Sequence, residues 1–255
     1  LPPFSPRTCQ ACPSGHYCPE ASAFARPCPV GRYNPNAGAL DEAECMPCSV
    51  GRYCSLGSAL EVDCTAGRYI NQTQSGKCEA CEAGKYQPSR GQTACLECQA
   101  GTYCELGASA EASCPSGRFG DSPSAMSASS CVECPAGSFC LSGSTHPSPC
   151  SPGTVQPAVA RGLCDSCGAG TFQNETGKMA CFDCPPGSYC GDATATPLPC
   201  KPGTFGASTN LASVDECSVC GAGHFCFAGS MAPSVCSKGT FAATDTSQLC
   251  SACAA

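Results

Sequence analysis

The chain has 255 residues, of which 30 are cysteine, 28 glycine and 23 proline, with no tryptophan and a formal net charge of −7. Leu, Ile, Val and Phe together number only 31, so no stretch can bury a thick apolar core and covalent links have to supply what burial cannot. With 13 Lys plus Arg against 20 Asp plus Glu, the chain lacks the clustered positive charge of a nucleic-acid binder, and no apolar run is long enough to span a bilayer.

Residues 1–11 read as a lead-in that ends an upstream unit and carries Cys9. They show no basic start followed by a long apolar stretch, so any signal peptide or anchor is expected outside this segment. From Cys12 onward one pattern, Cys-x-x-Gly-x-aromatic, recurs fourteen times. Its first cysteines are Cys12, Cys28, Cys48, Cys64, Cys81, Cys98, Cys114, Cys134, Cys150, Cys167, Cys184, Cys200, Cys220 and Cys236, and Cys253 opens a further copy. The intervals run 16, 20, 16, 17 and 17 residues and then repeat, so five modules make an 86-residue super-repeat. Its copies occupy residues 12–97, 98–183 and, incomplete, 184–255.

The motif takes 14 of the 28 glycines and 13 of the 17 aromatics. Glycine at its fourth position predicts a positive-φ turn or a close backbone approach. The aromatic two residues later is expected to lie over a neighbouring disulfide as a miniature core. Polar turns such as Asn36-Ala37-Gly38 and Ser89-Arg90-Gly91 should return each arm to its closing cysteine. The fold expected is small and disulfide-rich, mostly irregular with short β: an elongated, solenoid-like ladder of 14 cysteine-rich units in which stacked units contact only their neighbours.

Six modules place a second cysteine directly after the aromatic, at Cys18, Cys54, Cys104, Cys140, Cys190 and Cys226; the others place it three residues before the next motif. An internal pairing closes every long loop and is the one expected. In chain order it joins Cys12 to Cys18, Cys28 to Cys45, Cys48 to Cys54, Cys64 to Cys78, Cys81 to Cys95, Cys98 to Cys104 and Cys114 to Cys131. It continues with Cys134 to Cys140, Cys150 to Cys164, Cys167 to Cys181, Cys184 to Cys190, Cys200 to Cys217, Cys220 to Cys226 and Cys236 to Cys250, leaving Cys9 and Cys253 for partners outside the segment. An interleaved pairing, beginning Cys9 to Cys18 and Cys12 to Cys28, is the alternative, since spacing alone does not fix connectivity.

The stretches Cys28-Pro-Val-Gly-Arg-Tyr33 to Cys45-Met-Pro-Cys48 and Cys81-Glu-Ala-Gly-Lys-Tyr86 to Cys95-Leu-Glu-Cys98 resemble ephrin-receptor-like and tumour-necrosis-factor-receptor-like cysteine-rich repeats. The resemblance covers residues 9–255. It implies extracellular ladders of small disulfide modules, as in receptor ectodomains, adhesion proteins and large surface or mastigoneme-type proteins of unicellular eukaryotes. The six 16-residue modules depart from the receptor pattern, because the next motif begins without a preceding Cys-x-x.

Other readings carry less. Nine Cys-x-x-Cys pairs could supply zinc thiolates, but the cysteines between them would be left over and the repeated Gly and Tyr have no metal role. His16 and His224 occupy the variable fifth position of the motif and His146 sits in a Thr-His-Pro loop, so they form no catalytic set. Asp41, Glu42 and Glu44, with Asp215-Glu216 in the corresponding later module, suggest calcium, yet the middle copy reads Ala128-Ser129-Ser130. No metal, cofactor or enzymatic activity is expected. Asn71-Gln72-Thr73 and Asn174-Glu175-Thr176 are N-glycosylation sequons, in keeping with the oxidising compartment that so many cysteines require. The function expected is that of a glycosylated extracellular rod in a fibre, flagellar-hair-like appendage or surface coat, partnered by itself or by other structural proteins. The alternative is the ectodomain of a receptor or adhesion protein.

Overall fold

The computed structural model describes residues 11–253. Fourteen antiparallel hairpins, each of two two-residue strands, follow one another along the chain, and the only helical turns among the described residues are three short 3-10 segments, Glu42–Glu44, Ala128–Ser130 and Val214–Glu216. Every hairpin uses the same register. The motif aromatic pairs with the residue two before the next motif cysteine, as in Tyr33 with Met46, Tyr86 with Leu96 and Phe172 with Phe182. The next cysteine then donates its N–H to the motif glycine carbonyl, as Cys48 does to Gly31 at 2.9 Å.

Fourteen disulfides close the modules, with sequence separations of 6, 14 or 17 residues. Each joins two cysteines of one module; Cys28 is bonded to Cys45, Cys48 to Cys54, and Cys236 to Cys250. The two cysteines of a Cys-x-x-Cys pair therefore belong to different bridges. In the chain-entropy account a six-residue loop contributes about 2 kcal/mol and a 14- to 17-residue loop about 3 kcal/mol. Cys253 is free and exposed, and Cys9 lies outside the described residues.

The buried interior is made mostly of these sulfurs. The motif aromatics, expected to be the core, are half-buried, and Phe241 is 46 % exposed. Tyr53 does lie against the next module's Cys64, Ile70 and Cys78, but the position that is buried in module after module is the one following the aromatic: Asn34, Cys54, Ile70, Gln87, Cys104, Gly120, Cys140, Gln156 and Gln173. Side chains alternate faces along a strand, so the aromatic and its successor cannot both point inward, and the disulfide takes the inner side.

The chain divides into two compact bodies, Leu1–Cys114 with Gly120–Cys131 and Pro115–Phe119 with Val132–Ala255. The division runs through the module that opens at Cys114. Within each body the hairpins form a ladder, described next.

Candidate functional site: the module junctions

Three backbone hydrogen bonds recur at successive junctions. At the second, Gly31 N–H donates to the Cys54 carbonyl at 2.8 Å, Gly57 N–H to Cys28 at 2.9 Å, and Asn34 N–H to Ser58 at 3.1 Å. The set reappears eight modules on, where Gly170 donates to Cys190 at 2.7 Å, Ala193 to Cys167 at 2.8 Å and Gln173 to Thr194 at 3.1 Å, and its first bond is also present between Gly117 and Cys140 at 2.8 Å. The motif supplies both partners: its cysteine carbonyl and glycine N–H face the following module.

The glycine also meets a third module. Gly84, at φ +88°, is placed so that a Cβ would lie 2.6 Å from the carbonyl oxygen of Ser124, two modules on, and at Gly170 the corresponding distance to Asn210 is 2.7 Å. The same apposition joins Gly31 to Gln74, Gly51 to Gly91 and Gly137 to Gly177. Contact is thus not confined to nearest neighbours, which corrects the expectation for a simple stack. The residues Gly57, Gly91, Gln74, Ser124, Ala160, Ala193 and Asn210 that dock there are themselves at positive φ, whereas Thr246, against Gly203, is not.

Where the residue after the aromatic is glutamine, a buried amide clamps the arm instead. Gln87 Nε2 donates to the Ala94 carbonyl at 2.7 Å while its Oε1 accepts from Ser89 N–H at 3.0 Å. Gln156 repeats this with Leu163 and Ala158, and Gln173 with Ala180 and Glu175. Sequence reasoning missed these residues. The signal was that they share a position with Cys54 and Cys104, whose sulfurs have to point inward.

The variable fifth position satisfies backbone carbonyls in two ways. Arg32 and Arg68 reach the carbonyls of their closing cysteines, at 2.8 and 3.2 Å, whereas Thr154, Thr171 and Thr204 donate at 2.7 Å to the carbonyl three residues before them. Arg52 is paired with Glu61 at 2.6 Å and Asp63 at 2.7 Å, and Arg118 with Glu133 at 2.6 Å. Burial alone would raise the Glu61 carboxyl, but the Ser49 N–H and the Arg52 guanidinium outweigh it and hold it below the ordinary glutamate value.

The acidic turn is occupied by its own backbone. Asp41 caps Glu42–Glu44, accepting from Ala43 N–H at 2.9 Å, while Glu44 accepts from Leu40 and Asp41; Glu216 accepts from Ala212 at 2.9 Å. No group of three His, Cys, Asp or Glu side chains suited to a metal occurs among the described residues. His16 and His224 each bond the carbonyl two residues earlier, and His146 bonds Thr145. Asn71 and Asn174 are both exposed, each two residues beyond a motif aromatic.

Against this geometry, residues 67–114 match the family model for tyrosine-protein kinase ephrin type A/B receptor-like sequences. The chain is a cysteine-rich repeat protein with an ephrin-receptor-like segment. The match runs from within module four to the first cysteine of module seven and contains the Cys81–Cys95 and Cys98–Cys104 bridges. A search of curated proteins gave no match. Many disulfides together with an ephrin-receptor-like segment place this repeat protein in the extracellular or cell-surface class. Among the described residues no helix is long and apolar enough to cross a membrane.

Proposed function

We propose that this ladder is a structural element of an extracellular fibre, flagellar-hair-like appendage or surface coat, non-catalytic and glycosylated at Asn71 and Asn174. The observation that carries the reading is the repeated junction: the same three backbone bonds, with a second-neighbour contact at the motif glycine, recur from module to module. Such coupling resists bending without needing a central core, and the strict 86-residue period would then set the spacing of partners or glycans. Self-association or assembly with other extracellular structural proteins follows from that role.

The ephrin-receptor-like segment at 67–114 favours a second reading, an ectodomain that presents or grips a protein ligand. Electron microscopy of native, unreduced material separates the two. A filament with an axial repeat matched by a whole number of modules supports the structural role. Isolated molecules ending at a membrane, with no lateral or axial partners, overturn it in favour of the receptor reading.

A further inference from the structure

Beside Asn71 the ladder carries a concavity of about 160 Å³. One wall is Tyr69 from the same arm, two residues before Asn71. The rest belongs to the next module: Glu82, Lys85, Thr93 and Cys95. The site combines an aromatic face, an ammonium and carboxylate pair 3.8 Å apart, and a hydroxyl, the mixture of flat apolar surface and a few polar groups that orients a small ligand.

We infer that this concavity seats the first N-acetylglucosamine of a glycan on Asn71, so that the sugar attached to module four clasps module five. The inference rests on the glycosylation reading above. In the modification, Asn71 Nδ2 bonds to the sugar's anomeric carbon as the carbon–oxygen bond to a lipid-diphosphate donor breaks. The amide proton and the lipid diphosphate leave. A pyranose presents one face of C–H groups carrying slight positive charge, which suits the negative face of the Tyr69 ring, while Lys85 donates to the acetyl carbonyl and Glu82 accepts from sugar hydroxyls.

Asn174 is the internal comparison. Phe172 also precedes it by two residues, but its ring packs on Phe182 with centroids 5.9 Å apart, and the following module offers Pro185 and Ser188 where Glu82 and Lys85 stand.

The test uses the full chain secreted from a eukaryotic host, site occupancy by mass spectrometry, and NMR after trimming to single N-acetylglucosamines. The expected result is nuclear Overhauser contacts and upfield ring-current shifts between the Asn71 sugar and Tyr69. Exchange of the Gly91 and Ile70 amides, which bridge modules four and five to Cys64 and Gln92, should slow by about three- to tenfold relative to Asn71→Gln. Tyr69→Val should abolish both effects and still fold, because Val155 occupies that motif position in module nine. An occupied Asn71 whose sugar resonances match a free glycan, with unchanged exchange, overturns the seat alone. An unoccupied Asn71 overturns the glycosylation reading and the seat with it.

Discussion

Gly38 and Gly84 share a φ of +88° and differ in what surrounds them, so replacing each by alanine separates backbone preference from contact. At Gly38 a Cβ meets nothing within 4 Å, and Gly38→Ala should cost only the left-handed conformational penalty, about 1–2 kcal/mol. At Gly84 the same penalty applies, and the Cβ would lie 2.6 Å from the Ser124 oxygen and 3.2 Å from its carbonyl carbon. The module two steps on then has to move, at about 1–3 kcal/mol for an overpacked site, straining the Gly84 to Cys104 bond at 2.8 Å and the Ser124 to Cys98 bond at 2.8 Å. The sum for Gly84→Ala is about 2–5 kcal/mol. Because a ladder does not unfold in two states, the assay is native-state amide exchange with disulfides intact, read at Gln87, Gly107 and Ser124, with Gln156 in the other body as reference. Gly84→Ala should speed exchange there by roughly thirtyfold or more, against about tenfold around Gly38 for its counterpart. Equal effects for the two variants would refute the second-neighbour contact as a structural constraint.

Three further outcomes are expected. Gln156→Ala leaves the Leu163 carbonyl and Ala158 N–H without the amide that binds them; at about 2–4 kcal/mol, tryptic cleavage after the exposed Arg161 should accelerate on the order of a hundredfold, and an unchanged rate would mean that the disulfide alone holds the arm. Ala193→Gly relieves a residue at φ +55° and should stabilise its junction by about 1 kcal/mol, seen as slower exchange of its own amide to Cys167. Glu61 is held below its ordinary value when folded, so its contribution is present at pH above that ordinary value and is lost as pH falls through the lower folded one. An NMR titration should place its midpoint below that of an unperturbed glutamate, with the Ser49 amide exchanging faster in acid; a midpoint at or above the unperturbed one would contradict the Ser49 and Arg52 contacts.

Much of the fold was legible because cysteine, glycine and aromatic recur together at fixed intervals. Poor apolar content excluded a conventional core, and the motif glycines do adopt positive φ, from Gly15 at 75° to Gly239 at 84°. What those glycines approach was not legible, since no residue type marks the backbone carbonyl of a module some forty residues away. The core was misplaced by one residue: the large aromatic drew the eye, although the neighbouring cysteines at 54, 104 and 140 showed which side faced inward. The acidic turns were set aside as ligands because the middle copy lacks them, but what their carboxylates do instead was not legible: Asp41 caps the 3-10 turn, and Glu44, its last residue, accepts from the backbone before it.

The second-neighbour contact also accounts for where the chain permits length to vary. The docking residue follows the motif aromatic by four residues in the 16-residue modules, as Gly57 follows Tyr53 and Ala193 follows Tyr189. It follows by five in the longer ones, as Gln74 follows Tyr69, Ala160 Val155 and Asn210 Phe205. The shorter arm goes with a cysteine after the aromatic and a six-residue disulfide loop; the longer arm goes with a loop of 14 or 17. The three additional residues of the 20-residue modules lie beyond the docking residue, as the 3-10 turns Glu42–Glu44, Ala128–Ser130 and Val214–Glu216. Surface insertions are cheap in loop entropy, so their confinement to this one place has to come from contact: a residue added before the docking position would carry its carbonyl off the glycine two modules back, whereas one added after it leaves the ladder intact. The 86-residue period is then a sequence of two arm lengths and one permitted insertion, each compatible with the same junction.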